Sequence, residues 1–262
     1  MSEHSSVRSG EARAAASEDL QAFVHEGNEE ILLALLENPA IEERHLIMIL
    51  ERLDIPVSVP TAIAAKAKWV ASEAVRLHLA TNPKTPRRTA LTLVRQLYLF
   101  DLVRLSLLPS TPAEIKRLAE EVIITRVPQI PIGEKLTLAR RGPSRVAGAI
   151  LAEGHVQAVK LALANAFLSE SQVLKVIANS ATAERVISEI AQHPKWSIQY
   201  NVRVGLLRNA HTPPPSVLAF LPNITLRDLK DVARLESIPA HVKRYIQNEL
   251  ARRQGSAAKE SR

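Results

Sequence analysis

The chain has 262 residues, no cysteine and a formal charge of +7. The absence of thiols excludes disulfides, thiol nucleophiles, cysteine zinc sites and cysteine-ligated iron–sulfur clusters. Apolar residues make up 46% but aromatics only 3%, so any core is built from Ala, Leu, Val and Ile, which suits closely packed helices and not a β-sandwich or barrel.

Residues 1–17, rich in Ser, Ala, Glu and Arg, lack the apolar core of a signal peptide and read as a mobile tail. No apolar run anywhere reaches the ~18 residues of a membrane span, so the expected compartment is the cytoplasm. Ser17 to Leu20 opens a short helix ending at Gly27, and Ile31, Leu32, Leu35 and Leu36 follow helical periodicity up to Asn38-Pro39. Ile41 to Leu53 is the next helix. Pro56 and Pro60 bracket a linker, and Thr61 through Ser72 form an Ala-rich helix carrying Trp69. Then comes the stretch from Ala74 to Pro86, which the chain writes again from Asn201 to Pro213. Both fit Val-Arg-x-x-Leu-x-x-Asn-x-x-Thr-Pro without a gap.

In this motif Val75 and Leu79, four apart, share a buried helix face, as do Val202 and Leu206. Asn82 sits where the helix runs out, and Asn tolerates the left-handed conformation common there. Thr85 has N-cap chemistry and Pro86 suits the first helical position, so Thr85-Pro86, Thr111-Pro112 and Thr212-Pro213 should each begin a helix. Looser copies lie at Leu102 to Leu108 and Ala158 to Ala164. Asn38 precedes Asn82 by the same 44 residues that separate Asn165 from Asn209.

Further helices are expected over Pro86 to Leu97, Phe100 to Leu108, and from Thr111 to Pro128. Residues 127–134 are extended and helix-poor, marking either a boundary between two sub-arrays or a kinked turn inside one. Short helices follow, up to a last one opened by Pro239 with Val242, Ile246 and Leu250 on one face. Residues 254–262 read as a polar, frayed end. The expected fold is all-α, a single array over residues 18–253.

The pattern resembles the bacterial leucine-rich-repeat variant and related HEAT-like repeats. That resemblance implies a right-handed α-solenoid, a superhelix of stacked short helix pairs, and it is specific for architecture but not for function. Spacing departs from a regular array, with Val75 to Val103 at 28 residues and Val159 to Val202 at 43.

Charge is distributed unevenly. Residues 1–83 carry seven Lys/Arg against thirteen Asp/Glu, and residues 84–145 twelve against five. A basic surface is therefore expected from Arg87, Arg88, Arg95, Arg104, Lys116, Arg117, Arg126, Arg140, Arg141 and Arg145. Chemistry-bearing motifs are sparse. Glu153-Gly154-His155 reads as a solvated turn, the eight histidines are scattered without metal-ligand spacing, and Trp69 and Trp196 read as core. No catalytic, metal or cofactor residue is expected. The reading is a non-enzymatic scaffold that binds a protein partner through the extended surface of its stacked repeats. The alternative is nucleic acid on the basic segment, including a DNA-alkylation-repair type of enzyme with Asp101 or Glu121 as its carboxylate.

Overall fold

Apolar residues at intervals of three and four run through the chain, and the computed structural model turns these stretches into short helices. It describes residues 3–236 and 238–260 and, within them, the side chains of 5–236 and 238–254. Among the described residues there are 19 α-helices and no strand.

The chain forms two compact units, residues 1–125 and 126–262. Unit one holds α1 (Glu3–Ala14), α2 (Leu20–Val24), α3 (Glu29–Leu35), α4 (Glu43–Glu51), α5 (Ser58–Ala65), α6 (Ala67–Val70), α7 (Glu73–Thr81), α8 (Arg87–Val94), α9 (Leu99–Leu107) and nearly all of α10 (Ala113–Arg126). Unit two holds α11 (Ile132–Arg141), α12 (Ser144–Glu153), α13 (Val156–Leu163), α14 (Glu170–Ala178), α15 (Glu184–Gln192), α16 (Tyr200–Arg208), α17 (Pro214–Phe220), α18 (Leu226–Ala233) and α19 (Ala240–Glu260). A 3-10 turn at Val127–Gln129 occupies the irregular stretch, one residue past the division.

Helices this short are marginal alone and depend on burying one face. In unit one α1 packs on α3, α2 on α4, α3 on α5, α4 on α7 and α7 on α9. In unit two α11 packs on α13, α12 on α14, α13 on α15, α14 on α16, α16 on α18 and α17 on α19. Helices two steps apart, or three where the short α6 intervenes, are thus neighbours. Val75, Leu79, Val202 and Leu206 lie between them with no exposed surface.

Stacking exposes a polar problem, because the last carbonyls of each helix have no partner within it. Side chains from further along the chain supply the donors. Asn38 Nδ2 donates to Ala12 O and Ala15 O at 2.9 and 3.0 Å. Asn82 Nδ2 reaches Leu50 O and Arg52 O at 2.7 and 2.9 Å. Asn165 reaches Ala139 O at 2.8 Å and Gly142 O at 3.0 Å, and Asn209 reaches Ile177 O at 2.7 Å. Arg52 closes the end of α2 through Val24 O, and Trp196 Nε1 closes α13 through Leu163 O at 2.8 Å. Each of these four Asn also accepts from the N–H two residues on, which makes its own turn.

The roles of the motif residues therefore differ from the local expectation. Asn82 and Asn209 are extended, with φ of −73° and −95°, and no described non-glycine residue has positive φ. Their amides, not a left-handed turn, are what the position requires. The Thr-Pro pairs do precede helices, but Pro86 and Pro213 are the cap residues, and Pro112 directly precedes α10. The threonine instead faces back. Thr212 Oγ1 donates to Leu206 O at 2.6 Å, closing the preceding helix, while the hydroxyls of Thr85 and Thr111 are buried without a partner.

Three boundaries are also corrected. Residues 3–14, expected as a tail, form α1, because Ala12 is fully buried and its small side chain allows close packing on α3. Residues 1 and 2 lie outside the described residues. The expected helix over Thr61 to Ser72 breaks at Lys66, whose ammonium donates to Leu36 O at 2.6 Å, and Ser72 instead caps α7 through Val75 N. At the other end α19 continues to Glu260 where a frayed end was expected, and residues 261 and 262 lie outside the description.

The two units share one register. Adding 127 to α4 (43–51) gives α14 (170–178), and adding 127 to α7 (73–81) gives α16 (200–208). The starts of α3, α8, α9 and α10 at 29, 87, 99 and 113 map in the same way onto 156, 214, 226 and 240. Only α6 lacks a helical counterpart, residues 194–198 being a turn. The same interval pairs Asn38 with Asn165, Trp69 with Trp196, Arg76 with Arg203, Asn82 with Asn209 and Asp101 with Asp228.

Candidate interaction groove

In the second unit α14, α16 and α18 lie side by side, and their common face contains a groove of about 990 Å³. Leu174, Ile177, Val204 and Gly205 form its floor. The 127-residue register shows how these positions differ between the units. The first-unit counterparts are Ile47, Leu50, Leu77 and His78, so an imidazole stands where the second unit has only a hydrogen. Burial pushes the His78 pKa down, with Arg104 acting in the same sense against Glu51. A Cβ on Gly205 would come within 3.3 Å of Leu174 Cδ2 and 3.5 Å of Ile177 Cγ2, so the glycine lets α16 lie close against α14.

Polar residues surround this floor. The Tyr200 hydroxyl donates to Asp228 Oδ2, which also accepts from Thr225 Oγ1 at 2.8 Å. These two hydrogen bonds, then the charges of Arg227 and Arg208, hold the Asp228 carboxyl below its ordinary value. Asp231 follows one turn later, 3.6 Å from Arg234. Arg208, His211 and the exposed Asn201 line the groove as well. Unit two carries twenty Lys/Arg against ten Asp/Glu, or +10, and unit one fourteen against seventeen, or −3. Two aspartates on one groove wall thus run against the charge of their own unit.

The same tie is made in unit one with different chemistry. Glu73, at the position of Tyr200, accepts from Tyr98 N at 2.6 Å, as Tyr200 Oη accepts from Thr225 N at 3.2 Å. Asp101, at the position of Asp228, therefore meets a second carboxylate. Burial first, and then Glu73, push its pKa up.

The expected basic residues are divided between the two units. Arg87, Arg88, Arg95, Arg104, Lys116 and Arg117 belong to unit one, and Arg126, Arg140, Arg141 and Arg145 to unit two. Arg87 Nε donates to Glu114 at 2.7 Å, Arg117 lies 3.8 Å from Glu121, and Lys116 Nζ is 3.4 Å from Pro109 O. Arg87, Arg88 and Arg95 do share one face of α8 with Leu91 and Thr92, around a shallow basin of about 610 Å³. Arg104 is exposed on α9, Arg140 and Arg141 are exposed in the last turn of α11, and Arg126 and Arg145 are half-buried.

Trp69 and Trp196 are core residues, with the ammonium of Lys66 4.2 Å above one ring and that of Lys195 4.2 Å above the other. Glu153 is engaged by Lys135 Nζ at 2.6 Å, beside Gly154, whose φ of 79° ends α12. Among the described residues no group of three or more His, Cys, Asp and Glu is placed to hold a metal ion, and no helix is long and apolar enough to cross a membrane. No protein-family model, curated protein or solved structure matches the chain.

Proposed function

We propose that each unit is a stretch of right-handed α-solenoid, and that the chain is a non-enzymatic scaffold whose α14–α16–α18 face binds a protein partner. Neighbouring helices two steps apart, several of them ended by a side chain from further along the chain, support the architectural reading. The observation that carries the binding reading is the groove itself, lined by apolar Leu174, Ile177 and Val204 together with Tyr200, Asp228, Arg208 and His211, the composition typical of recognition sites.

Nucleic acid on the basic middle segment is less well supported. Six of its ten residues lie in a unit of net charge −3, and Arg87 is tied to Glu114. The test is a comparison of partners captured by the wild-type chain and by Gly205→Leu, with mass spectrometry at low and physiological salt. Partners lost specifically with Gly205→Leu support the reading; an unchanged set at both salts refutes it.

A further inference from the structure

We infer that unit one carries a proton-operated latch between α7 and α9. While Asp101 holds a proton it donates to Glu73 and keeps the first turn of α9 against α7; once ionised it repels Glu73 and lets that turn go. The geometry makes Glu73 the acceptor. Its Oε1 takes the Tyr98 N–H at 2.6 Å, and its Oε2 takes the Arg76 guanidinium, whose Nη1 is fixed to Val70 O at 2.8 Å. Tyr98 caps α9 and Asp101 lies in its first turn, so both tie the same turn to one carboxylate. A carboxylate has no proton to donate, so the hydrogen bond between the two side chains exists only while one of them is protonated. Burial and the charge of Glu73 favour the protonated form of Asp101, and Arg104, one turn along the same helix, opposes them.

The second unit makes the same contact with a phenol as the donor. Tyr200 stands in place of Glu73, and its hydroxyl donates to Asp228 while accepting from Thr225 N at 3.2 Å. Asp228 also accepts from Thr225 Oγ1 at 2.8 Å, so it serves as an ionised acceptor. The aspartate is thus retained at 127 residues' distance while its protonation is reversed. One unit responds to pH through this contact over a range in which the other does not. The turn that is released carries Tyr98 and Phe100, 66% and 50% exposed, aromatic side chains of the kind that anchor interfaces. The latch lies outside the groove of unit two and stands whether or not that groove binds a protein.

The experiment follows the backbone amides of Tyr98 and Thr225 by heteronuclear NMR of the full chain from about pH 4 to about pH 7. The Tyr98 signal should shift in a single step. Its exchange with water, corrected for the pH dependence of free amides, should quicken at least about fivefold, the equivalent of one lost hydrogen bond. Thr225 should stay protected throughout, because Asp228 ionises below that range. Asp101→Asn keeps a donor that has no charge to gain, and should hold the Tyr98 amide protected at both ends of the range. Glu73→Tyr, which copies the second unit, should abolish the step from the other side. Both variants are checked for an unchanged helical circular dichroism spectrum. A Tyr98 amide in the wild type that neither shifts nor quickens, a step that survives in Asp101→Asn, or an equal step at Thr225 would overturn the inference.

Discussion

Replacing Asn82 tests the claim that stacking, and not a local turn, is what the repeated asparagine serves. The side chain is 5% exposed. Its amide donates to Leu50 O at 2.7 Å and Arg52 O at 2.9 Å, and its oxygen accepts from Lys84 N at 2.8 Å. At about 1 kcal/mol net per hydrogen bond, with a further penalty for the buried carbonyl left unpaired, Asn82→Ala should cost about 3 kcal/mol. Asn179 is an internal control, since it is exposed and its side chain makes only the turn bond to Ala181 N at 3.0 Å. Asn179→Ala should therefore cost less than about 1 kcal/mol. Asn82→Asp is the sharper variant. It keeps the turn acceptor but aims a negative charge at two carbonyls, so it should be worse than alanine. Urea denaturation followed by circular dichroism gives the midpoints, read on the transition of residues 1–125 if the units melt separately. An Asn82→Asp chain as stable as wild type would show that only the turn matters and would refute the stacking argument.

Leu79→Ala and Leu206→Ala remove fully buried side chains, and each should cost about 2–5 kcal/mol in the same assay; a loss below about 0.5 kcal/mol would place them on the surface. Asp101 is held above its ordinary value of 3.8 by burial and by Glu73, against the lowering influence of Arg104. The folded state therefore keeps this proton longer than the unfolded one, and stability should fall as pH rises from the ordinary value through the raised one. Asp101→Asn should remove that slope and raise the melting temperature at neutral pH, and an unchanged slope would refute the assignment. Replacing Arg87 and Arg88 together with Glu should leave protein capture intact. The wild-type chain should bind duplex or single-stranded nucleic acid no better than non-specifically at about 0.15 M salt, and sub-micromolar binding that the double variant abolishes would reverse the ranking of partners.

The helical class and the buried faces were legible because burial imposes a period that any window of the sequence displays. Val75 and Leu79 need no knowledge of what they touch. The role of Asn82 was not legible, since its partners at Leu50 and Arg52 lie 32 and 30 residues away and the local chemistry of Asn offers an equally good left-handed turn. The break at Lys66 has the same origin, in a bond to Leu36 that the Ala-rich stretch does not announce. For α1, a polar composition concealed the few small residues by which it packs, and Ala12 and Ala15 are capped by Asn38 from beyond the next two helices. The groove left one trace in the sequence, a glycine between Val204 and Leu206. Its meaning depends on setting Gly205 against His78, a comparison that the equal 44-residue spacing of two Asn pairs made available.

That comparison also separates framework from face. Between the units, Val75, Arg76, Leu79, Asn82, Thr85 and Pro86 recur unchanged at 127 residues' distance, and all of them pack, cap or turn the chain. On the same stretch Glu73 becomes Tyr200, Ala74 becomes Asn201, His78 becomes Gly205 and Thr81 becomes Arg208. Exchange of exposed side chains is cheap, often within about 0.5 kcal/mol, so the charges alone carry little weight. The glycine is different. It weakens α16 by about 1 kcal/mol relative to alanine, and a Cβ in its place would press on Leu174 Cδ2 at 3.3 Å and Ile177 Cγ2 at 3.5 Å. The glycine therefore belongs to the framework, letting α16 lie close against α14, and the face of the groove is set by the residues that change around it, Tyr200, Asn201 and Arg208.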